Sequence, residues 1–391
     1  MVPKGWKRVP IKDVCESIID YVNKTAPVVD YETPFKMIRT TNVRNGRVNT
    51  EDVRYVTEDT YLQWVRRGKP QVGDIIFTRE APVGEAGVLQ DAEGIFLGQR
   101  TMMYRADTCL SDNYFLFYSL SSPFCQKQIE DFSNGGTVAH MRVPDCGEIL
   151  INLPPFLEQK KIAQILSTWD KAISVTEKLL TNSQQQKKAL MQQLLTGKKR
   201  LLDENGVRFS GEWRNSTLSM FCNIAKGKAL SASDLEVGDF PVIAGGKSSP
   251  YSHSDYTHEN VVTVSASGAY AGYISYHNYK IWASDCSVVS AKADNLIDYF
   301  YQLLLSLQDK IYSLQSGGAQ PHIYPKDLNS IPLWVPCVKE QQKIAAVLSA
   351  ADAEISTLEK KLACLRDEKK ALMQQLLTGK RRVKVDEAVA E

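Results

Sequence analysis

No run of about 18 apolar residues, the length that crosses a bilayer, occurs in this 391-residue chain. The opening MVPKGWKRVP also lacks the apolar core of a secretory signal, so a cytoplasmic location is expected. Cysteine and histidine are badly spaced for metal. The eight cysteines (Cys15, Cys109, Cys125, Cys146, Cys222, Cys286, Cys337, Cys364) never fall at CxxC or CxC spacing, and the five histidines form no HxxxH pair. Reduced structural thiols and no metal site are the expectation. Net charge is scarce too, since 47 basic against 45 acidic residues leave +2, which gives no whole-chain attraction to nucleic acid. With 43% apolar and 24% charged residues the composition excludes disordered and collagen-like chains, and at roughly 100 to 200 residues per domain the length suggests two or three domains.

What the chain does contain is a duplication. The segment EQKKIAQILSTWDKAISVTEKLL…KKALMQQLLTGK from Glu158 recurs as EQQKIAAVLSAADAEISTLEKKL…KKALMQQLLTGK from Glu340, at an offset of 182 without a gap. Twenty-five of the 42 pairs from Glu158 to Lys199 are identical. The offset reaches upstream to Gly135, Gly136, His140 and Asp145, which match Gly317, Gly318, His322 and Asp327. Further back, only Trp6 with Cys15 against Trp213 with Cys222 survives, at an offset of 207. The chain therefore reads as head (1–157), helical region (158–200), diverged head (201–339), helical region (340–382) and tail (383–391).

The repeated segments carry a heptad stripe. In the second copy it runs through Ile344, Leu348, Ala351, Ile355, Leu358, Leu362 and Leu365 to Leu372 and Leu376, interrupted only by Lys369. In the first it runs through Ile162, Leu166, Trp169, Ile173, Thr176, Leu180 and Ser183 to Leu190 and Leu194. A helix of this length, about 57 Å at 1.5 Å per residue, is too long to bury itself on its own head. The economical arrangement pairs the two helices as an antiparallel coiled coil with pseudo-twofold symmetry. The alternative packs each helix on its neighbouring head. Gly197 and Gly379 supply C-terminal stops, and Lys198 to Arg200 and Lys380 to Arg382 place positive charge where the helix dipole is negative. These helical regions are basic, with nine Lys/Arg against three Asp/Glu in 158–200 and nine against six in 340–382.

Both heads have the texture of strands cut by glycine. GDIIFTREAPVGEAGVL from Gly73 and NVVTVSASGAYAGYISY from Asn260 look equivalent, each a strand, a small-residue turn and a second strand. The expected class is thus α+β, with two β-rich heads. Each head is slightly acidic, so any contact to DNA must come from local basic loops. Candidates are Arg39, Thr41, Asn42 and Arg44, then Arg79, Gln99 and Arg100 in the first head, and Lys226, Lys247, Ser248, Ser267, Gln320 and His322 in the second. Arg, Lys, Asn and Gln match the donors and acceptors of base edges, and Ser and Thr suit phosphates.

Catalytic lookalikes fail on chemistry. Leu153-Pro154-Pro155-Phe156 resembles a base-holding tetrapeptide of amino-methyltransferases, but Leu replaces the side chain whose oxygen accepts the target amine. Gly245-Gly246-Lys247-Ser248 ends like a phosphate loop, yet Pro241 stands where its first glycine belongs. Asp145 with Glu148 suggests a nuclease metal site until Leu150 stands where a catalytic lysine should follow. No catalytic residue and no cofactor of its own are expected.

Two copies of EQ-K/Q-KIA and LMQQLLTGK, each closing a long helix behind a diverged head, resemble the specificity subunit of type I restriction-modification enzymes over essentially the whole chain. The resemblance implies a non-catalytic subunit whose heads are target recognition domains, each reading half of a bipartite double-stranded DNA site. It implies that the helices set the spacer and dock two modification (methyltransferase) subunits carrying S-adenosylmethionine, with restriction (translocase-nuclease) subunits joining through them. It does not say which residues touch bases. A coiled-coil scaffold with protein-binding heads shares every helix feature and stays the competing reading.

Overall fold

Five consecutive buried residues, Ile75 to Arg79, make a central strand, because only a strand covered on both faces hides every side chain. A computed structural model describes the chain over residues 2–21, 24–133, 139–246, 251–317 and 320–385. It divides into two compact units, residues 1–176 with 361–391, and residues 177–360.

The first unit's head contains β1 (Lys7–Pro10), β2 (Cys15–Asp20), β3 (Lys36–Ile38), β4 (Val43–Arg44), β5 (Arg47–Val48), β6 (Arg54–Tyr55), β7 (Ile75–Arg79), β8 (Val83–Val88), β9 (Ile95–Leu97), β10 (Thr101–Ala106) and β11 (Leu150–Leu153). They form a four-stranded sheet in the order β2-β10-β7-β8, a three-stranded sheet β6-β3-β9 and the pairs β1-β11 and β4-β5. The second unit's head contains β12 (Arg214–Thr217), β13 (Cys222–Lys226), β14 (Phe240–Ile243), β15 (Ser252–His253), β16 (Val261–Ser265), β17 (Ile274–His277), β18 (Trp282–Ala283), β19 (Cys286–Ala291) and β20 (Pro332–Val335). Its sheets are β13-β19-β16-β17, β15-β14-β18 and β12-β20, the same order strand for strand. The segments that look equivalent in sequence form β7-β8 and β16-β17, and Cys15 and Cys222 open β2 and β13. Among the described residues the hairpin β4-β5 has no counterpart in the second head.

Each repeated segment is one 39-residue helix, Phe156–Leu194 and Val338–Leu376. Gly197 and Gly379 end them in the left-handed region, both at φ 70°. The units cut both helices, so each unit holds the start of one and the end of the other. In the first unit, Arg382 grips Glu158 with Nε at 2.7 Å, and Lys369 reaches Asp170 at 2.6 Å. In the second, Arg200 grips Glu340 at 2.6 Å and Lys187 pairs with Asp352. At the offset of 182 these are the same two contacts with the copies exchanged. Within each unit the paired segments run in opposite directions. The lysine that interrupts the stripe thus has a use, since its ammonium also lies 5.3 Å over the Tyr118 ring.

Burial along the stripe corrects one expectation. Ile162 and Leu166 are fully buried and belong to the first head's core with Trp6, Ile11 and Phe115, joined there by Leu376. Ile344 and Leu348 enter the second head's core with Phe300 and Val335, joined by Leu194. The first turns of each helix therefore do bury on their own head. Between these anchors Ile173 and Leu362 are buried, whereas Trp169, Leu180, Leu190, Ile355, Leu358, Leu365 and Leu372 are half-buried.

Candidate nucleic-acid interface

At one corner of the first head four loops meet. Strand β7 ends at Arg79, whose N–H donates to the Arg100 carbonyl at 2.9 Å, and whose own carbonyl accepts from Met141 at 3.0 Å. Glu80 bridges to His140. Gly98 donates to Ile38 at 2.8 Å, which sets the loop from Arg39 beside Gln99 and Arg100. The second head repeats this network: Ala266 donates to the Asp285 carbonyl at 3.2 Å, Ile323 donates to Ala266 at 2.9 Å, Ser267 bridges to His322, and Ser284 donates to Ile243 at 2.8 Å. Position by position, Arg79 corresponds to Ala266, Glu80 to Ser267, Arg100 to Asp285 and His140 to His322. The loops from Arg39 and from Ala244, chosen separately in sequence for their polar residues, occupy the same place.

Within this corner the candidate residues differ in what they can reach. Thr41 and Arg100 are exposed, Arg39 and Gln99 half-buried. Arg100 Nε lies 3.0 Å from Glu80 Oε2. Asn42 is turned inward, with Nδ2 donating to the carbonyls of Asn49 and Asp52 at 3.2 and 2.6 Å and Oδ1 accepting from the Arg39 N–H. It holds its loop closed and offers no base-reading edge. Arg79 is only 8% exposed, and its Nη1 donates to the Met141 carbonyl at 2.9 Å, so it too is a framework residue. Arg44 spends Nη1 on the carbonyls of Thr40 and Val43. In the second head, Ser267 donates to Asp285 Oδ2, Gln320 is exposed, and the His322 ring stacks on Tyr324 at 6.1 Å. Lys226, exposed, closes β13. Lys247 and Ser248 lie outside the described residues.

Sequence reasoning missed Glu80, Asp285 and His140 as members of this corner. The alignment of His140 with His322 at the repeat offset was the available signal. Arg39 Nε, Arg79 Nε and, in the second head, Ser265 Oγ are buried without a hydrogen-bond partner among the described residues. Buried polar atoms are rarely left so, and seven others among the described residues share the state.

Elsewhere the chemistry is quiet. The carboxylates of the nuclease lookalike are both taken, Asp145 by Arg142 at 2.7 Å and Glu148 by Lys12. The Leu153 to Phe156 tetrapeptide is a strand end and a helix start. Burial pushes the Cys125, Cys146, Cys222 and Cys286 thiols up to about 12, which keeps them protonated and inert at neutral pH.

The second head has a cavity of about 430 Å³ beside Ala244 and Gly246, lined by Tyr273, Tyr276, Tyr279, Tyr301 and His277. His277 is 4% exposed, with Nε2 2.9 Å from Thr263 Oγ1 and Nδ1 3.2 Å from the Tyr279 hydroxyl. Burial lowers its pKa from 6.5 to about 4. The folded state then takes up a proton later than the unfolded chain, so the stabilisation is complete above about pH 6.5 and is lost as pH falls toward 4, by up to about 3 kcal/mol. Urea midpoints at pH 7 and pH 4.5 should therefore differ less in His277→Gln than in the unaltered chain. An equal difference would place the acid sensitivity on another group.

The sequence profile of the family described as type I restriction modification DNA specificity domain matches residues 3–182 and again 210–365. A putative type I restriction enzyme MjaX specificity subunit of Methanocaldococcus jannaschii is 25% identical over 420 residues, spanning 98% of this chain and 95% of that protein. The type I restriction enzyme StySPI specificity subunit of Salmonella potsdam is 23% identical over 412 residues, spanning 92% of this chain and 85% of its own. Among solved structures, the type I restriction-modification S subunit from M. genitalium has a TM-score of 0.70 at 20% identity, covering 96% of this chain and 99% of that one, a likeness of fold.

Proposed function

Because the chain belongs to the type I restriction-modification DNA specificity family, we propose that its two heads, residues 1–157 and 201–339, each read one half of a bipartite site in double-stranded DNA. The chain is a sequence-specific recognition subunit of a type I complex and not itself the catalyst, as its relatives' designation as specificity subunits supports. The observation that carries the reading is the corner shared by both heads: one backbone network presents Glu80 and Arg100 in one head, and Ser267 and Asp285 in the other. A constant frame with exchanged polar groups is what reading two different half-sites requires.

The helical regions 158–200 and 340–382 pair as an antiparallel coiled coil related by a pseudo-twofold. The exchanged pairs Lys369–Asp170 with Lys187–Asp352, and Arg382–Glu158 with Arg200–Glu340, support this, since in a twofold contact residue i meets j and j meets i. In this arrangement the helices fix the gap between half-sites and dock two modification subunits, which bring S-adenosylmethionine; restriction subunits join through them, and the complex works in the cytoplasm. None of the described helices is long and apolar enough to cross a membrane.

The test is affinity selection from a random duplex pool by the chain assembled with its modification subunits. One gapped, asymmetric motif should emerge, with binding that weakens steeply as salt rises. A pool that stays random while the heads retain protein ligands would overturn the DNA reading in favour of a scaffold.

A further inference from the structure

Resting on that reading, the corner allows a narrower assignment. In the first head Arg100 sits at φ 71°, a left-handed backbone that arginine rarely adopts. The side chain there is 46% exposed, while Glu80, 20% exposed, holds its Nε. This ion pair at Nε keeps the guanidinium beside Glu80, and the contact does not use the two Nη groups. At the corresponding position of the second head stands Asp285, half-buried, with Oδ2 held by the Ser267 hydroxyl. The loop carrying Gly245 approaches so closely that a Cβ there would meet the Ser267 carbonyl at 3.0 Å and Asp285 Oδ2 at 3.2 Å. In each head, then, a positioning residue orients one charged group of opposite sign to the other head's, on the same backbone frame. The buried, unpartnered Arg79 Nε lies in the residue whose backbone supports Arg100.

We propose that Arg100 and Asp285 are the specificity-determining residues of their half-sites, Arg100 donating to N7 and O6 of a guanine and Asp285 accepting from the exocyclic amino group of a cytosine. Arginine's fork matches the two acceptors that guanine alone presents in the major groove, and a carboxylate matches the amino donor of cytosine. Glu80 and Ser267 act through them as positioning residues. Exchange of charge at one position, inside an unchanged network, is how a common head comes to read a different base.

The experiment uses the full chain with its modification subunits and duplexes carrying every single-base change of the motif that the unaltered complex selects. Arg100→Gly keeps the left-handed backbone and removes the guanidinium. It should lower the preference for guanine at one position of one half-site by about 10- to 100-fold and leave the other half-site unchanged. Asp285→Ala, which removes the acceptor that asparagine would keep, should do the reciprocal at one cytosine, and Glu80→Gln should weaken the Arg100 position alone. Should Arg100→Gly fold poorly, Arg100→Lys, which keeps the charge but loses the fork, should show a smaller loss at that same single position. Uniform weakening on all duplexes with a shallower salt slope would make these residues phosphate contacts and overturn the assignment, as would unchanged preferences. If the unaltered complex selects no gapped motif, the DNA-reading function itself falls, an outcome separable from failure of the two residues alone.

Discussion

DNA methylation at one gapped, asymmetric sequence should vanish from the host genome when this chain is deleted and its modification subunits are kept. The expected loss is all-or-none, because specific recognition exceeds non-specific DNA binding by about 10³ to 10⁷-fold and a methyltransferase without its reader has only the weaker term. Asymmetry follows from the heads. They share a strand order, yet one presents Arg100 held by Glu80 and the other Asp285 held by Ser267. They also differ in loop length: β3 and β6 are joined by residues 39–53, including the hairpin β4-β5, whereas β14 and β15 are joined by only 244–251. Two surfaces that differ in this way should prefer different bases. Single-molecule sequencing of strains with and without the gene reads the outcome directly. A palindromic motif would contradict unequal half-sites, and an unchanged methylome, with the modification gene shown to be expressed, would contradict the function.

The second large effect concerns stability. Leu348→Ala should cost about 3 to 4 kcal/mol, since Leu348 is fully buried in the core that contains Phe300, Leu304 and Val335, and truncation there leaves a cavity as well as lost apolar burial. Ile355→Ala, two turns further along the same stripe but only half-buried, should cost nearer 1 kcal/mol. Urea unfolding of the two variants measures the contrast. Equal costs would mean that the stripe is uniformly sealed along its length, as its sequence pattern alone suggests.

The difference between those two leucine-stripe positions illustrates what sequence can and cannot carry. A heptad reports which side of a helix is apolar, and every stripe position is indeed buried or half-buried. It says nothing about which neighbour covers that side, so the anchoring of Ile162 and Ile344 in the head cores was not visible. The duplication was legible because identical residues at a fixed offset need no structural knowledge, and with it came the paired positions of His140 and His322. The corner itself was only half legible. Arg79 and Asn42 were chosen by residue type, but type does not fix direction: Arg79 closes a strand in which all five positions are buried, and Asn42 was claimed by carbonyls of its own loop. Glu80 and Asp285 were passed over because acidic residues look unsuited to DNA until a neighbouring strand end brings their partners within 3 Å or so.

The exchanged ion pairs also bear on how such a chain can change over generations. Glu158, Asp170, Lys187 and Arg200 of the first copy each find their opposite charge in the second. A mutation that alters charge at any of the four therefore leaves its partner unmatched 140 to 224 residues away. That mutual dependence ties the two copies together at these positions, where Glu158, Asp170 and Lys187 supply three of the 25 identities in 42 pairs. Charge on one helix is thereby answerable to a residue on the other, and a reversal at both ends of a pair keeps the contact where a reversal at one end breaks it.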